Sequence, residues 1–563
     1  MISVHSKRSL LSLICLVVLA AFLRIGYLNK YPPALYSDEV SQGYNAYSVL
    51  KTGKDEYGSW LPASFRSFGD WKPPVPTYLM VPTIAIFGLN EWGIRLPSAI
   101  LGTLTIILVY FLVYELISHY TVDFSHFFTH HKKHISILTA LLLTISPWHI
   151  HQSRSAMLIA VELFFLCLAV LTFFKGLKNS KWWIISSCSW MLGIYSYYGM
   201  RVIVPLFLIF IIIEFYKPIK YKISVIAVPI LIGIIFLLPL LFAFIHQPDI
   251  VFGRAKTVSV FYDKGVFLTV WDMIAQDGHI SPKLAQFFHN KPYYYLVDIT
   301  RRFFQHFDGR FLFLVGDRQL PFQIPNMGVL YLVDGLMISI GCVYALRYGF
   351  KLCLFLIFWI VVSVIPASLT FMTPAANRTF TMVVPLTIFA AIGICVFISK
   401  IRRVPKLVPS VIIGFVYFLS LCYFGYQYVI ILPYQYASWW HYGYTELFEY
   451  LLSKESKAGS IAISGKASVP YIFLLYNRRV NPQSIATQIH RNFILDEFGF
   501  EHVDSFGKYQ FPRNFSWNKD GVKLGTGSYL VTTPQEEVES DVQLEYTIKY
   551  PNGTPAYFIY EIL

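Results

Sequence analysis

Charge is scarce in this chain: 14% of its 563 residues are Asp, Glu, Lys or Arg, against about a quarter in soluble proteins. The shortfall excludes an ordinary soluble globule, because 55% of the residues are hydrophobic and they fall in long runs. Acid is scarcer than base, with 32 Asp and Glu against 46 Lys and Arg and a formal net charge of +14. Cysteine is missing from every polar stretch. Cys15, Cys167, Cys188, Cys342, Cys353, Cys395 and Cys422 all sit inside apolar runs. That placement implies no disulfide framework and no cysteine metal site, so they read as small core residues. Internal repeats of the kind that mark many transporters are also absent.

What is present is a series of apolar segments, each near the length that spans a bilayer. Candidates are 10–28, 96–116, 135–149, 157–174, 182–197, 202–215, 223–245, 328–346, 352–372, 381–398 and 408–432. The count is about eleven, at about 20 residues per span. A further apolar stretch, 76–89, is short and broken by Pro76 and Pro82, and reads as interfacial. Lys7 and Arg8 precede the first span. Every second connection after it is short and basic: Lys132 and Lys133; Lys175, Lys178 and Lys181; Lys217, Lys220 and Lys222; Arg347 and Lys351; Lys400, Arg402, Arg403 and Lys406. By the positive-inside rule these lie in the cytoplasm, as does the N-terminus. The basic excess is therefore topological and does not point to nucleic acid. Residues 29–95, 150–156, 198–201, 246–327 and 373–380 then face outward, as does the tail 433–563. A cleaved signal peptide over 10–20 is the rival reading of the first segment and leaves the remaining topology unchanged.

Ionisable groups are costly inside a bilayer, so chemistry is expected where polar residues crowd the outer ends of spans. The loop 29–95 is the richest such place, reading YPPALYSDEVSQGYNAYSVLKTGKDEY, then SFGDWKPPVPTYLMVP, then GLNEWGIRLPSA. Asp38 and Glu39 admit two readings. They can be the acidic first turn of a helix capped by Ser37. Alternatively, one is a general base toward an acceptor hydroxyl, beside cations that hold a phosphate leaving group. Adjacent side chains on a helix point about 100° apart, so one carboxylate can face a cavity while the other orients backbone or a metal. Lys72 is either an interfacial lysine or a phosphate contact. Arg95, Arg154, Arg201, Arg301, Arg302 and Arg378 also lie at outer ends, where arginine is disfavoured. If they converge, they make an anionic-headgroup site. His246, His279, His289 and His306 are irregularly spaced, and a divalent metal stays an open alternative.

The acidic pair after the first span, Lys72-Pro73-Pro74, and GLNEW leading into RLPSA resemble glycosyltransferase family 39. That family belongs to the GT-C class and includes protein O-mannosyltransferases and lipid A aminoarabinose transferases. GRAKTVSVF, FLFLVGD, TPAANRT and YASWWHYGYTE are similar to segments of bacterial members. The resemblance implies a polyprenyl-phosphate-linked sugar as donor and inverting transfer to an acceptor lipid, glycan or protein. It gives Asp38 as the base, Glu39 as its neighbour and Lys72 beside the lipid phosphate, with Arg201 and Arg378 as weaker counterparts. Trp71 stands where the aminoarabinose transferases carry a metal-binding Glu, which puts a metal and that substrate in question.

The expected architecture is an all-α polytopic membrane bundle of GT-C type over residues 1–432. A small extracytoplasmic α/β domain is expected over 433–563. Strands are expected at 460–464, 528–532 and 542–550 and a helix at 469–476. The sequons at Asn377, Asn514 and Asn552 matter only in a glycosylating compartment. Two other readings compete: a lipid or solute transporter or flippase, and a non-catalytic scaffold.

Overall fold

The computed structural model describes residues 7–120, 126–157, 159–217, 223–263, 265–401, 403–494, 496, 499–513, 524–538 and 542–563. Lys220, Lys222, Arg402 and the Asn514 sequon fall outside the described residues. The chain is mostly helical and divides into two compact units. One comprises Met1–Arg24, Ile100–Ser153 and Leu158–Phe424; the other comprises Ile25–Ala99, Arg154–Met157 and Gly425–Leu563.

In the first unit a helix coincides with each apolar run the sequence offers. By length and composition, six described helices can cross a membrane, among them Ile159–Lys178, Phe380–Lys400 and the exposed Val225–His246. With these apolar helices the chain is a multi-pass membrane protein. The run predicted over 135–149 is not one helix. His126–Ile145 ends before Pro147, which opens a separate helix, Pro147–Arg154. Proline has no amide to continue the first helix but suits the first turn of the next. The released carbonyls of Leu143 and Thr144 accept hydrogen bonds from the buried Arg24 guanidinium at 3.0 and 3.2 Å. Helices Leu332–Tyr348 and Val383–Lys400 cross backbone to backbone. A Cβ on Gly341 would lie 1.9 Å from the Phe389 carbonyl oxygen, and one on Gly393 the same distance from that of Met337. Small residues at crossings let membrane helices gain packing and backbone contacts that lipid does not supply.

The stretch 246–327, read as a loop, is largely helical: Asp249–Val258, Gly265–Asp277, Pro282–Phe288 and Lys291–Gln305. Phe267, Leu268, Trp271, Phe287 and Phe288 stand exposed on it. Apolar residues with this exposure fit a headgroup boundary better than water.

The second unit gathers the segment between the first two spans with the C-terminal residues. Helix Ser37–Thr52 carries Asp38 and Glu39 in its first turn, and Tyr36, not Ser37, precedes it as the cap residue. A hairpin of Phe65–Ser67 and Asp70–Lys72 follows, with Phe65 opposite Lys72. Pro73 then leads into helix Pro74–Phe87, too short at 14 residues for a span. The C-terminal strands form one seven-stranded sheet in the order Ile489–Asn492, His502–Phe506, Tyr509–Gln510, Ile461–Ile463, Tyr529–Thr532, Pro555–Ile562, Val542–Lys549. Ile461–Ile463 pairs in parallel with both its neighbours, and the other pairings are antiparallel. The strands and helix expected from sequence appear at Ile461–Ile463, Tyr529–Thr532, Val542–Lys549 and Pro470–Asn477. One apolar core joins both halves of this unit: Val40, Tyr44, Ile84 and Ile94 are buried with Phe448, Ile472 and Tyr509. Tyr44 Oη donates to the Val480 carbonyl at 2.7 Å.

Candidate functional site

The acidic pair is resolved into two different environments by helix geometry. Glu39 is fully buried and makes four hydrogen bonds. Its Oε1 accepts from Arg95 Nε at 3.0 Å and from the Ala156 amide at 2.8 Å. Its Oε2 accepts from Arg95 Nη2 at 3.0 Å and from the Tyr36 amide at 2.9 Å. Arg95 is also fully buried, and it donates to the carbonyls of Leu28, Pro32 and Ala34 at 3.3, 2.9 and 2.5 Å. Arg154 donates to the carbonyls of Tyr27 and Tyr31 at 3.1 and 3.0 Å. Together these groups fix the irregular chain entering the helix. Their polar atoms face backbone, as buried charge requires.

Asp38 points elsewhere. Its side chain is 39% exposed, and Oδ1 accepts from Lys72 Nζ at 2.5 Å. Lys72 is 8% exposed in its side chain and reaches Asp38 from the hairpin. The hairpin is itself tied down, with Ser67 Oγ 2.5 Å from Ser41 Oγ and Ser64 Oγ donating to the Lys72 carbonyl at 3.0 Å. Strand alternation turns Trp71 to the opposite face from Lys72. The Asp38 carboxyl group thus sits at the accessible end of a buried scaffold, in contact with the Lys72 side chain.

Sequence reading missed His441, whose ring stacks on Tyr36 with centroids 4.9 Å apart. Asp38 lies close enough to act on this imidazole electrostatically, and burial lowers the imidazole to about 4, so it is neutral. Its signal was the polar residue inside YASWWHYGYTE, with nothing in the spacing to connect it to Asp38.

The remaining predicted cations belong to the first unit. Arg378 is buried in the loop after helix Phe350–Ser368 and donates to Thr370 Oγ1. Burial lowers its guanidinium, Tyr197 and Asp317 act to raise it, and Arg254 repels it. The loop around it is held on several sides. Asp317 Oδ2 accepts from the Ala376 amide at 2.5 Å, His306 Nε2 from the Ala375 amide at 3.2 Å, and Trp148 Nε1 donates to the Ala376 carbonyl at 3.0 Å. Burial raises Asp317 to about 6 and lowers His306 to about 4. Arg201 Nη1 donates to the Val251 carbonyl at 3.0 Å. Arg301 is 62% exposed in its side chain and pairs with Asp298 at 2.5 Å, three residues earlier on the same helix. Arg302 pairs with the same Asp298 at 2.6 Å and donates to the Phe371 carbonyl at 2.7 Å. Arg254, overlooked in GRAKTVSVF, acts electrostatically on Arg378.

The metal alternative finds no support in the donor set. Among the described residues no three His, Cys, Asp or Glu side chains come together as metal ligands. Asp38 and Glu39 are each partnered by a basic side chain.

Residues 71–242 match the family described as dolichyl-phosphate-mannose-protein mannosyltransferase. A curated relative, a putative mannosyltransferase YkcB of Bacillus subtilis, is 25% identical over 220 residues. That match covers 37% of this chain and spans 28% of the relative's length. Among solved structures, ArnT from Cupriavidus metallidurans bound to undecaprenyl phosphate is similar in fold. It has a TM-score of 0.51 and 10% identity, over 99% of this chain and 98% of that one. The Pmt1-Pmt2 complex of S. cerevisiae bound to its sugar donor aligns over 46% of this chain and 36% of that one, with a TM-score of 0.33 and 19% identity. The resemblance to glycosyltransferase family 39 seen in the first outer loop is borne out.

Proposed function

We propose that this protein is a membrane glycosyltransferase that moves a sugar from a polyprenyl-phosphate donor to an acceptor on the extracytoplasmic side. The observation that carries the reading is the half-exposed Asp38 carboxylate paired with Lys72 above a fully buried Glu39–Arg95 pair. The matched family and the ArnT-like fold support it. In this reading the acceptor hydroxyl gives its proton to Asp38 as its oxygen attacks the anomeric carbon. The bond from that carbon to the phosphate oxygen breaks, and the polyprenyl phosphate leaves with the electron pair. A single displacement inverts the anomeric centre. Lys72 stabilises the phosphate, whose charge grows as the bond breaks.

The Lys72 contact also sets an order of events. While Lys72 holds Asp38, it stabilises the ionised carboxylate and weakens it as a base. An arriving phosphate competes for the same ammonium. A phosphate bound at Lys72 therefore strengthens the base. Glu39, Arg95 and Arg154 shape the loop and do not touch substrate; Arg201 holds backbone, and Arg301 faces the surface. About eleven spans, a cytoplasmic N-terminus and an outward C-terminal sheet complete the reading.

The test is transfer by purified protein in vesicles with donor and acceptor on the same side. Labelled product formed without movement of solute supports an enzyme. Solute or lipid movement without product supports a transporter instead.

A further inference from the structure

His441 is not explained by the scaffold or by the phosphate contacts. It ends the short helix Ala437–Trp440 with φ of 52° and ψ of 37°, in the left-handed region. Few non-glycine residues adopt that region, although histidine is among those enriched there, and holding one costs energy that the surroundings must supply. The surroundings here do so. The His441 and Tyr442 amides close the turn on the Ser438 and Ala437 carbonyls, each at 3.1 Å. The ring is clamped between Tyr36, at 4.9 Å, and the edge of Phe473, at 5.6 Å. Gly443, at φ of 99°, then turns the chain away, and a Cβ there would meet Ile548 at 3.0 Å.

All this fixes an imidazole whose Nε2 is buried and has no hydrogen-bond partner among the described residues. A buried, unsatisfied ring nitrogen costs stability unless a ligand completes it. Its place is specific, because Tyr36, on which the ring stacks, immediately precedes the helix turn that carries Asp38. The neutral imidazole adds no charge beside the carboxylate and offers one hydrogen bond.

We propose that His441 Nε2 hydrogen-bonds a substrate hydroxyl next to Asp38, either on the transferred sugar or on the acceptor, and so positions the reacting groups. The proposal rests on the glycosyltransferase reading and assigns this unit's C-terminal part a share of the substrate site.

The test compares His441→Phe, which keeps the ring and removes its nitrogens, with His441→Gln, which restores a polar end. Full-length protein in nanodiscs is titrated with undecaprenyl phosphate and with mannosyl-phosphoundecaprenol, and transfer to envelope acceptors is followed at saturating donor. Undecaprenyl phosphate should bind H441F within about twofold of wild type. If the hydroxyl belongs to the donor, the sugar lipid should bind about tenfold more weakly. If it belongs to the acceptor, binding should hold and the transfer rate should fall about tenfold, the worth of one hydrogen bond left unmade beside a charge. H441Q should recover most of either loss. Wild-type values for H441F in both arms would overturn the proposal. So would an equal loss toward undecaprenyl phosphate, or an equal loss in H441F and H441Q, because either assigns the residue to folding alone. A wild-type protein that neither transfers nor prefers the sugar lipid overturns the glycosyltransferase reading itself, which separates the two failures.

Discussion

Lys72 in the second unit and Arg378 in the first are held in different ways: Lys72 by a carboxylate, Arg378 by the Thr370 hydroxyl. Around Asp38 each basic side chain has a carboxylate or a set of carbonyls to satisfy it: Lys72 has Asp38, Arg95 has Glu39, and Arg154 has Tyr27 and Tyr31. Around Arg378 burial and Arg254 lower the guanidinium, while Tyr197 and Asp317 act to raise it. Its acidic neighbour Asp317 gives an oxygen to a backbone amide and is itself raised by burial. The pairing with Lys72 holds the Asp38 carboxyl group in place.

Each half of this contrast can be broken separately. The largest effect on stability should come from Arg95→Met, which strands Glu39 without its cation. Removing one member of a buried pair costs about 3–5 kcal/mol, so thermal unfolding should show a large drop in melting temperature. A small drop would mean that Glu39 is not the anchor of the loop. Next is Arg378→Gln. If Arg378 binds donor phosphate, affinity for undecaprenyl phosphate should fall about 10- to 100-fold, the range for a charge-assisted hydrogen bond, with folding preserved. Unchanged affinity would remove the anion site from Arg378.

A pH effect follows from His306, held neutral by accepting from the Ala375 amide at Nε2 while Nδ1 faces the Arg302 carbonyl at 2.8 Å. Its folded value of about 4 lies below the ordinary 6.5. The unfolded chain therefore takes up the proton first. Stability is full above 6.5 and is lost as pH falls toward about 4. Asp317, raised to about 6, contributes in the opposite sense over much of that window. The His306 contribution is therefore read as the change in slope between wild type and His306→Asn in thermal unfolding; an identical slope in H306N would contradict the assignment. The smallest effect is expected for Arg301→Ala. An exposed pair three residues apart on one helix contributes little, so activity and stability should stay near wild type. A strong loss would show that Arg301 belongs to the site after all.

How much of this was legible in the sequence depended on whether a signal was local. Asp38 and Lys72 lie beside a span end and a proline pair, so composition alone marked the loop. The capping residue was misread by one position, from Ser37 to Tyr36, because Ser is the better capping side chain while the chain turned on backbone geometry. That Glu39 is an anchor was not legible, since its partners Arg95 and Ala156 are 56 and 117 residues away. The same applies to His441, which reaches Tyr36 only through folding. The helices within 246–327 were missed because their apolar faces are exposed, so no long buried run announced them. In the C-terminal sheet the buried central strands, Ile461–Ile463 and Tyr529–Thr532, were found. The short Ile489–Asn492 and Tyr509–Gln510 were not, being too brief and polar to show a period.

The central claim is that the Asp38 carboxylate removes the acceptor proton. Asp38→Asn keeps size and loses the base, so it should cut transfer at saturating donor by about 10²–10⁴-fold. Binding of undecaprenyl phosphate and the melting temperature should stay close to wild type. Transfer by D38N at the wild-type rate, with the same product linkage, would contradict the account.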